Sequence, residues 1–434
     1  MLARTAQRKI TTLTASLLLV APLVAGGQAV SATSTAAAPV TISIWTHTHP
    51  PMVAEFKKLI AAYEKLHPNV TVQYQIIPNM DFATKMLTSM GTSTGPEIIN
   101  MDDNQLRATY IPKGLLAPVD PKALGYSSLS ALQNAYVPHS LDGASTNGQV
   151  YGVPTEYDVT AMAINTKEFK KAGLNPNNPP KTWAQLGQQG AQIVKKGAAQ
   201  RGFDMLYLHP GWYHNELGTL LLQTGGSIVA PSGKTATIDQ PKSVQALQIW
   251  YDLIHKYHEA NPNLASNDPT VPDQDFIDGK MAMTMFNPWG IPLIAKGSAA
   301  YGNFKVVPLP QVDPAHPVYP VYAYYLAVNK QSTHQTEDFK FIRFVLDHTG
   351  DWLQNVNFIQ PKKGWGTLPQ ASALPFSSVW NTELQHGQFI PVAPNGAQID
   401  QIVKNSVDSS VLNGMTPAQA LANSALQINA VLNS

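Results

Sequence analysis

The hydrophobic period of this chain changes four times between Val40 and Met101, and few folds accommodate that. Val40–Trp45 alternates and is rich in β-branched residues, the pattern of a strand. Met52–Leu66 then sets Met52, Phe56, Leu59, Ile60, Tyr63 and Leu66 on one stripe, which predicts an amphipathic helix stopped by His67-Pro68-Asn69. Val70–Ile77 reads as a strand, Asp81–Met90 as a helix and Pro96–Met101 as a short apolar strand. Such alternation predicts an α/β sheet. Further helices are expected at Trp183–Lys196, with Thr182 as N-cap, at Pro241–Tyr257, at Asp338–Asp347, and at Thr416–Leu432 with Pro417 in its first position.

The length of 434 residues predicts two to three domains, and the 44% hydrophobic fraction is ample for their cores. Charged residues make up only 13%, about half the usual share, and the formal charge is +1. That balance gives no surface for nucleic acid or anionic membranes. A surface rich in Asn, Gln, Ser and Thr changes little in charge as carboxylates protonate, which fits an acidic habitat. There is no cysteine, hence no disulfide, thiolate metal site or thiol nucleophile.

Residues 1–32 read as a signal peptide. Arg4, Arg8 and Lys9 form its positive end, Leu13–Ala25 its apolar core and Val30-Ser31-Ala32 a small-residue cleavage site. The run is shorter than the roughly 20 residues of a membrane span, and Pro22 interrupts it. Residues 33–39 then form a flexible mature N-terminus, and the protein is expected outside the cytoplasm without stable membrane insertion.

Catalytic and metal motifs fail on context. Gly91-Thr92-Ser93-Thr94-Gly95 has the G-x-S-x-G spacing, but it follows a helix and precedes a strand, the reverse of a nucleophile elbow. Gly233-Lys234-Thr235 lacks the first glycine of a phosphate loop, Ile228 standing in its place. Neither His47-Thr48-His49 nor His255 with His258 is supported by clustered carboxylates, so no metal or cofactor is expected. Tyr324-Tyr325 lies in a strand-like run where alternation sends the two rings to opposite faces, which suits packing better than paired phenolate ligation.

The remaining candidates suit a sugar, whose apolar faces call for aromatic rings and whose hydroxyl rim calls for buried polar partners. Trp289 lies after a predicted strand in Asn287-Pro288-Trp289-Gly290. Trp212, Tyr213 and His214 follow a predicted strand, Met205–His209, in what reads as a strand-to-helix loop. Asp102 and Asp103 sit at the carboxyl end of the strand before them, where open sheets bind ligands. Glu156 and Asp158 are two apart and share a face if their segment is a strand. Trp45 is core or cleft edge. His47, His49 and Tyr322 complete the set of candidate ligand-binding residues.

Three separated blocks carry a family resemblance: Tyr151–Phe169 (YGVPTEYDVTAMAINTKEF), Phe276–Gly290 (FIDGKMAMTMFNPWG) and Val306–Pro310 (VVPLP). In order and spacing they resemble the extracellular solute-binding proteins, family 1, the maltose-binding-protein-like carriers of ABC importers. The resemblance implies a type II two-lobe periplasmic-binding-protein fold, with discontinuous lobes of residues 40–153 plus 325–348 and 154–324 plus 349–434. Hinge strands would cross near Tyr151–Tyr157 and Val318–Asn329. It implies no enzyme but a monomeric carrier that closes on a carbohydrate and delivers it to a membrane permease, with Trp289 stacking on the sugar and an acid at Asp158 facing the cleft. A polyol, a glycerol phosphoester, a ferric ion or a secreted glycoside hydrolase are the alternatives. The chain departs from Gram-positive relatives in one respect: Leu23-Val24-Ala25-Gly26 resembles a lipobox, but Gly27 stands where the lipidated cysteine would be.

Overall fold

The computed structural model describes residues 38–92, 94–205, 210–260, 271–393 and 396–433. The expected signal peptide, the Gly27 site and most of the expected flexible N-terminus lie outside these residues, as do Ser93 and residues 206–209 of the expected strand. Residues 39–434 form one compact unit.

The alternating opening folds as its periods require. Strand β1 (Val40–His47) runs parallel to β2 (Val70–Ile77), paired from Val40 with Val70 to His47 with Ile77. It also runs parallel to β3 (Ile98–Asp102). Helix α1 (Pro50–Leu66) connects β1 to β2, and α2 (Asn79–Met90) connects β2 to β3. Helix α1 begins with Pro50 in its first turn, where a missing N–H costs nothing. It buries Met52, Phe56, Leu59, Ile60 and Tyr63 of the expected stripe, whereas Leu66, in the last turn, is exposed. These side chains share a core with Ile42, Ile44, Val70 and Val72, and also with Phe341, Ile342, Trp352, Val356 and Phe358 from much later in the chain.

Two long strands tie the molecule together. β4 (Gly152–Val159) is buried along its whole length and continues through Thr160 into β5 (Ala161–Asn165). β5 is the centre of a second, three-stranded sheet, antiparallel to β6 (Met283–Phe286) and β7 (Phe304–Val307). β8 (Tyr319–Val328) returns antiparallel to both β4 and β3, and its first residues pair with β9 (Gly387–Phe389). The large sheet thus has the order β9-β8-β3-β1-β2 with β4 on the free side of β8. The register of β4 and β8 slips between Tyr324 and Tyr325, where Thr155 is the extra residue. The Thr155 hydroxyl fills that bulge by donating to the Tyr324 carbonyl at 3.0 Å and accepting from the Asn100 amide at 3.1 Å.

The helices expected later are present: α3 (Trp183–Lys195), capped by Thr182, α5 (Pro241–His255), α6 (Gln335–Leu346) and α8 (Pro417–Leu432), capped by Thr416. Among the described residues two further long helices come with them. Helix α4 (Pro210–Thr224) starts at Pro210, so Trp212, Tyr213 and His214 belong to a first helical turn and not to the loop expected there; Pro is well suited to open a helix. Helix α7 (Gly396–Val411) packs with α4, α5 and α8 around Leu217, Trp250, Val407 and Ile428.

Candidate functional site

The register across the large sheet assembles the site. Asp102 on β3 is paired with Tyr324 on β8, and Tyr324 with Glu156 on β4; the next like-facing pair is Tyr322 with Asp158. Paired residues in a ladder project to the same face, as do residues two apart. Asp102, Glu156, Asp158, Tyr322 and Tyr324 therefore share one face. The other neighbour, Tyr325, is fully buried on the opposite side and donates to the Ser140 carbonyl at 2.8 Å. The expected divergence of the adjacent tyrosines holds, but packing describes Tyr325 alone: the half-buried Tyr324 looks onto the carboxylates.

His47 ends β1 and lies against Tyr324, ring centroids 4.6 Å apart, with Phe82 edge-on at 5.6 Å. His49 begins α1. Its Nδ1 accepts from the Met52 amide at 3.4 Å and its ring stacks on Phe358 at 5.5 Å. Trp289, in the 3-10 turn Pro288–Leu293 that follows β6, meets His49 edge-on at 5.7 Å and donates its indole N–H to the Tyr322 hydroxyl. That hydroxyl donates in turn to Asp158 Oδ2 at 3.4 Å. Trp289, His49, Tyr322 and Asp158 thus meet across the crossing strands.

Several polar atoms of this group are buried and unpartnered: Glu156 Oε2, Asp158 Oδ1, His47 Nδ1 and His49 Nε2. Glu156 is 3% exposed and Asp158 fully buried. Burial pushes the Glu156 carboxyl well up, and Asp158 beside it adds to the shift; burial likewise raises Asp158, opposed by the Tyr322 hydroxyl. Burial also raises both phenols, Tyr322 and Tyr324, so each stays protonated. It lowers His47 to about 3, helped by His49, and His49 to about 4. The Trp289 backbone opposes part of the His49 shift without forming a hydrogen bond to Nε2. Both imidazoles are neutral at pH 7, each with one donor and one acceptor nitrogen.

The other candidates have different surroundings. Asp102 caps the short helix Asp103–Gln105 by accepting from the Gln105 amide at 2.9 Å, and burial raises it to about 6. Both oxygens of Asp103 are engaged, one by the Ala323 amide at 3.2 Å and the other by an ion pair with Arg107. Arg107 also donates to the Ile390 carbonyl at 3.0 Å and lies over the Phe389 ring. Trp45 packs on the core near α2 with the Lys85 ammonium 5.3 Å above its ring. The side chains of Trp212, Tyr213 and His214 lie outside the described residues. Trp380 is fully buried and donates to the Pro375 carbonyl at 2.8 Å.

Sequence reasoning missed Asp400, Phe82, Phe358 and Tyr110. Asp400 on α7 is pushed to about 7 by burial and by Asp102, and the Asn104 amide opposes this. The Tyr110 hydroxyl is buried without a partner, and burial raises its pKa, with Asp102 adding to the shift. Phe82 falls in the helix expected over Asp81–Met90, but periodicity could not aim it, and no local signal joins residues 358 and 400 to a cluster built from residues 47–324. A separate surface hollow of about 370 Å³, between Leu353 and Leu374, is lined by no charged side chain and is distant in kind from this cluster. Among the described residues no helix is long and apolar enough to cross a membrane, and no cluster of three His, Cys, Asp or Glu could hold a metal.

Comparison with known proteins places this arrangement. A binding protein of Brucella abortus (strain 2308) is 23% identical over 392 residues, 87% of this chain and 89% of that protein. The GacH receptor of Streptomyces glaucescens, solved unliganded and with acarbose, superposes with a TM-score of 0.78 at 21% identity, over 91% of this chain and 99% of GacH. UgpB of Mycobacterium tuberculosis, solved with glycerophosphocholine, gives 0.77 at 20% identity, over 91% and 98%. These likenesses show a type II, two-lobe periplasmic-binding-protein fold. The family model described as bacterial extracellular solute-binding protein matches residues 48–352, and the chain belongs to that family.

Proposed function

We propose that the protein captures a carbohydrate outside the cytoplasm and delivers it to an ABC import permease. The observation that carries this reading is the single face on which Glu156, Asp158, Tyr322 and Tyr324 stand in register, with Trp289 and His49 set against it. Aromatic rings there cover the apolar faces of a sugar, and the unpartnered carboxylate and imidazole atoms pair with its hydroxyls. The fold hosts other solutes, as the phosphodiester-bound relative shows, so the lining must decide. A phosphodiester needs cations, yet Arg107 is committed to Asp103 and Lys85 is exposed over Trp45. A ferric site of adjacent tyrosines needs Tyr324 and Tyr325 together, and Tyr325 lies on the opposite face with its hydroxyl on the Ser140 carbonyl. Glu156 and Asp158 project from one strand on one side, whereas a glycoside hydrolase sets its two carboxylates on opposite sides of the bond.

In this reading β4 and β8 are the hinge, the first lobe runs past the expected boundary at residue 348 to take in Trp352, Val356 and Phe358, and the structure is the closed form, with Trp289 brought onto Tyr322 and His49. A thermal-shift screen over mono- and oligosaccharides, with a reducing-sugar assay alongside, tests it. A raised melting temperature without sugar release is expected. Release of reducing ends, or stabilisation only by phosphodiesters, contradicts it.

A further inference from the structure

We propose that the sugar this cleft takes carries a protonated amine. The inference rests on the carbohydrate reading and narrows it. Glu156 and Asp158 are both buried, two residues apart on one face of β4, and each leaves one carboxylate oxygen without a partner. Asp158 receives one long hydrogen bond, from a neutral phenol. Among the described residues neither acid is ion-paired. Of the nearby cations, Arg107 is bound to Asp103, and Lys85 stands exposed over Trp45 on the α2 side of the sheet. The two imidazoles at the site, His47 and His49, are neutral by burial.

Each buried carboxylate without a counter-charge costs several kcal/mol, and pairing with a hydrogen-bonded cation is what offsets that cost. A neutral sugar offers only hydroxyl donors, so closing on it forces protons onto the pair. Burial, which raises both carboxyls, points the same way. An ammonium group offers three donors and a full positive charge, enough to reach Glu156 Oε2 and Asp158 Oδ1 together. The rings of Tyr322, Tyr324 and Trp289 border the same place and favour a cation over their faces.

Calorimetric titration of the full protein at about pH 6, below the usual amino pKa, tests the inference with matched probes. Glucosamine and unacetylated chitobiose are the amine-bearing members; glucose, cellobiose and N,N′-diacetylchitobiose are their neutral counterparts. The amine members are expected to bind at least about tenfold more tightly, as charge-assisted hydrogen bonds do. That preference should collapse towards unity in the Glu156→Gln/Asp158→Asn double variant. The single variants, isosteric and each removing one charge, should show a partial collapse and serve if the double variant does not fold. Equal affinities, a preference for any neutral sugar, or a preference untouched by the variants overturns the inference and leaves the carbohydrate reading standing. No binding to any saccharide in a wide neutral and amine panel overturns both.

Discussion

Trp289 donates its indole N–H to the hydroxyl of Tyr322, so the ring proposed for sugar stacking is held by β8, the strand proposed as one half of the hinge. Tyr322 passes the contact on to Asp158. Trp289, Tyr322 and Asp158 are thereby one hydrogen-bonded chain that ends on the strand β4.

Trp289→Ala should weaken sugar binding at least about tenfold, because an aromatic face and its anchor are both lost. The protein should remain folded, since Trp289 is only partly buried. Trp289→Phe keeps a ring and loses only the bond to Tyr322, so it should fall between the two, losing about 0.5–1.5 kcal/mol. Titration calorimetry of the three proteins checks the order. Wild-type affinity in the alanine variant would place the cleft elsewhere.

His49 has a structural duty beside any role with ligand. Its Nδ1 caps α1, and its ring lies on Phe358. His49→Ala should cost about 1–2 kcal/mol in urea unfolding, whereas His49→Asn, which restores a capping oxygen, should recover much of it. Binding should stay impaired in both, because neither carries the imidazole. Equal instability in both variants would assign the loss to ring packing instead.

Most of the residues that the sheet register brings together were already named by their sequence pattern. Alternation in β1, β2 and β3 and the stripe of α1 are backbone periods, legible without any partner. So was the shared face of Glu156 and Asp158. The pairing that joins them to Tyr322 and Tyr324 depends on a bulge at Thr155 that no local signal marks, and Tyr324-Tyr325 therefore read as packing. Asp158 is fully buried, with Tyr322 and Trp289 over it. Phe358 and Asp400 reach the site only through the return of the chain, which composition cannot reveal.

Gly143 sits where β8 and the first lobe press together. A Cβ there would lie 2.4 Å from the Tyr325 hydroxyl and 2.7 Å from the Asp103 side chain. Gly143→Ala should destabilise by about 1–3 kcal/mol, the usual range for overpacking. It should also disturb ligand affinity, since Asp103 holds the Ala323 amide of β8. Gly366→Ala, with nothing within 4 Å of the added atom, is the control and should be near neutral. Similar melting curves for the two variants would show that the contact yields freely.

Stability should fall as pH rises from acid to neutral. Burial raises Asp102 to about 6 and Asp338 and Asp400 to about 7, and raises Glu156, Asp158, Glu259 and Glu383 as well. Their unfolded values are about 4, so from there to about 7 the folded chain binds more protons than the unfolded one, and stability declines through that window. His47 and His49 act the other way. Lowered to about 3 and about 4 from about 6.5, they add stability as pH rises towards 6.5. The carboxyls outnumber them, and above about 6.5 His334, raised by its hydrogen bond to Glu97, acts in the same direction as the carboxyls. Scanning calorimetry should therefore give a higher melting temperature at about pH 4.5 than at about pH 7.5. Asp400→Asn, which removes one buried charge, should raise the value at the higher pH and narrow the difference. A melting temperature that climbs steadily to neutral pH would mean that these carboxyls stay solvated in the unliganded protein.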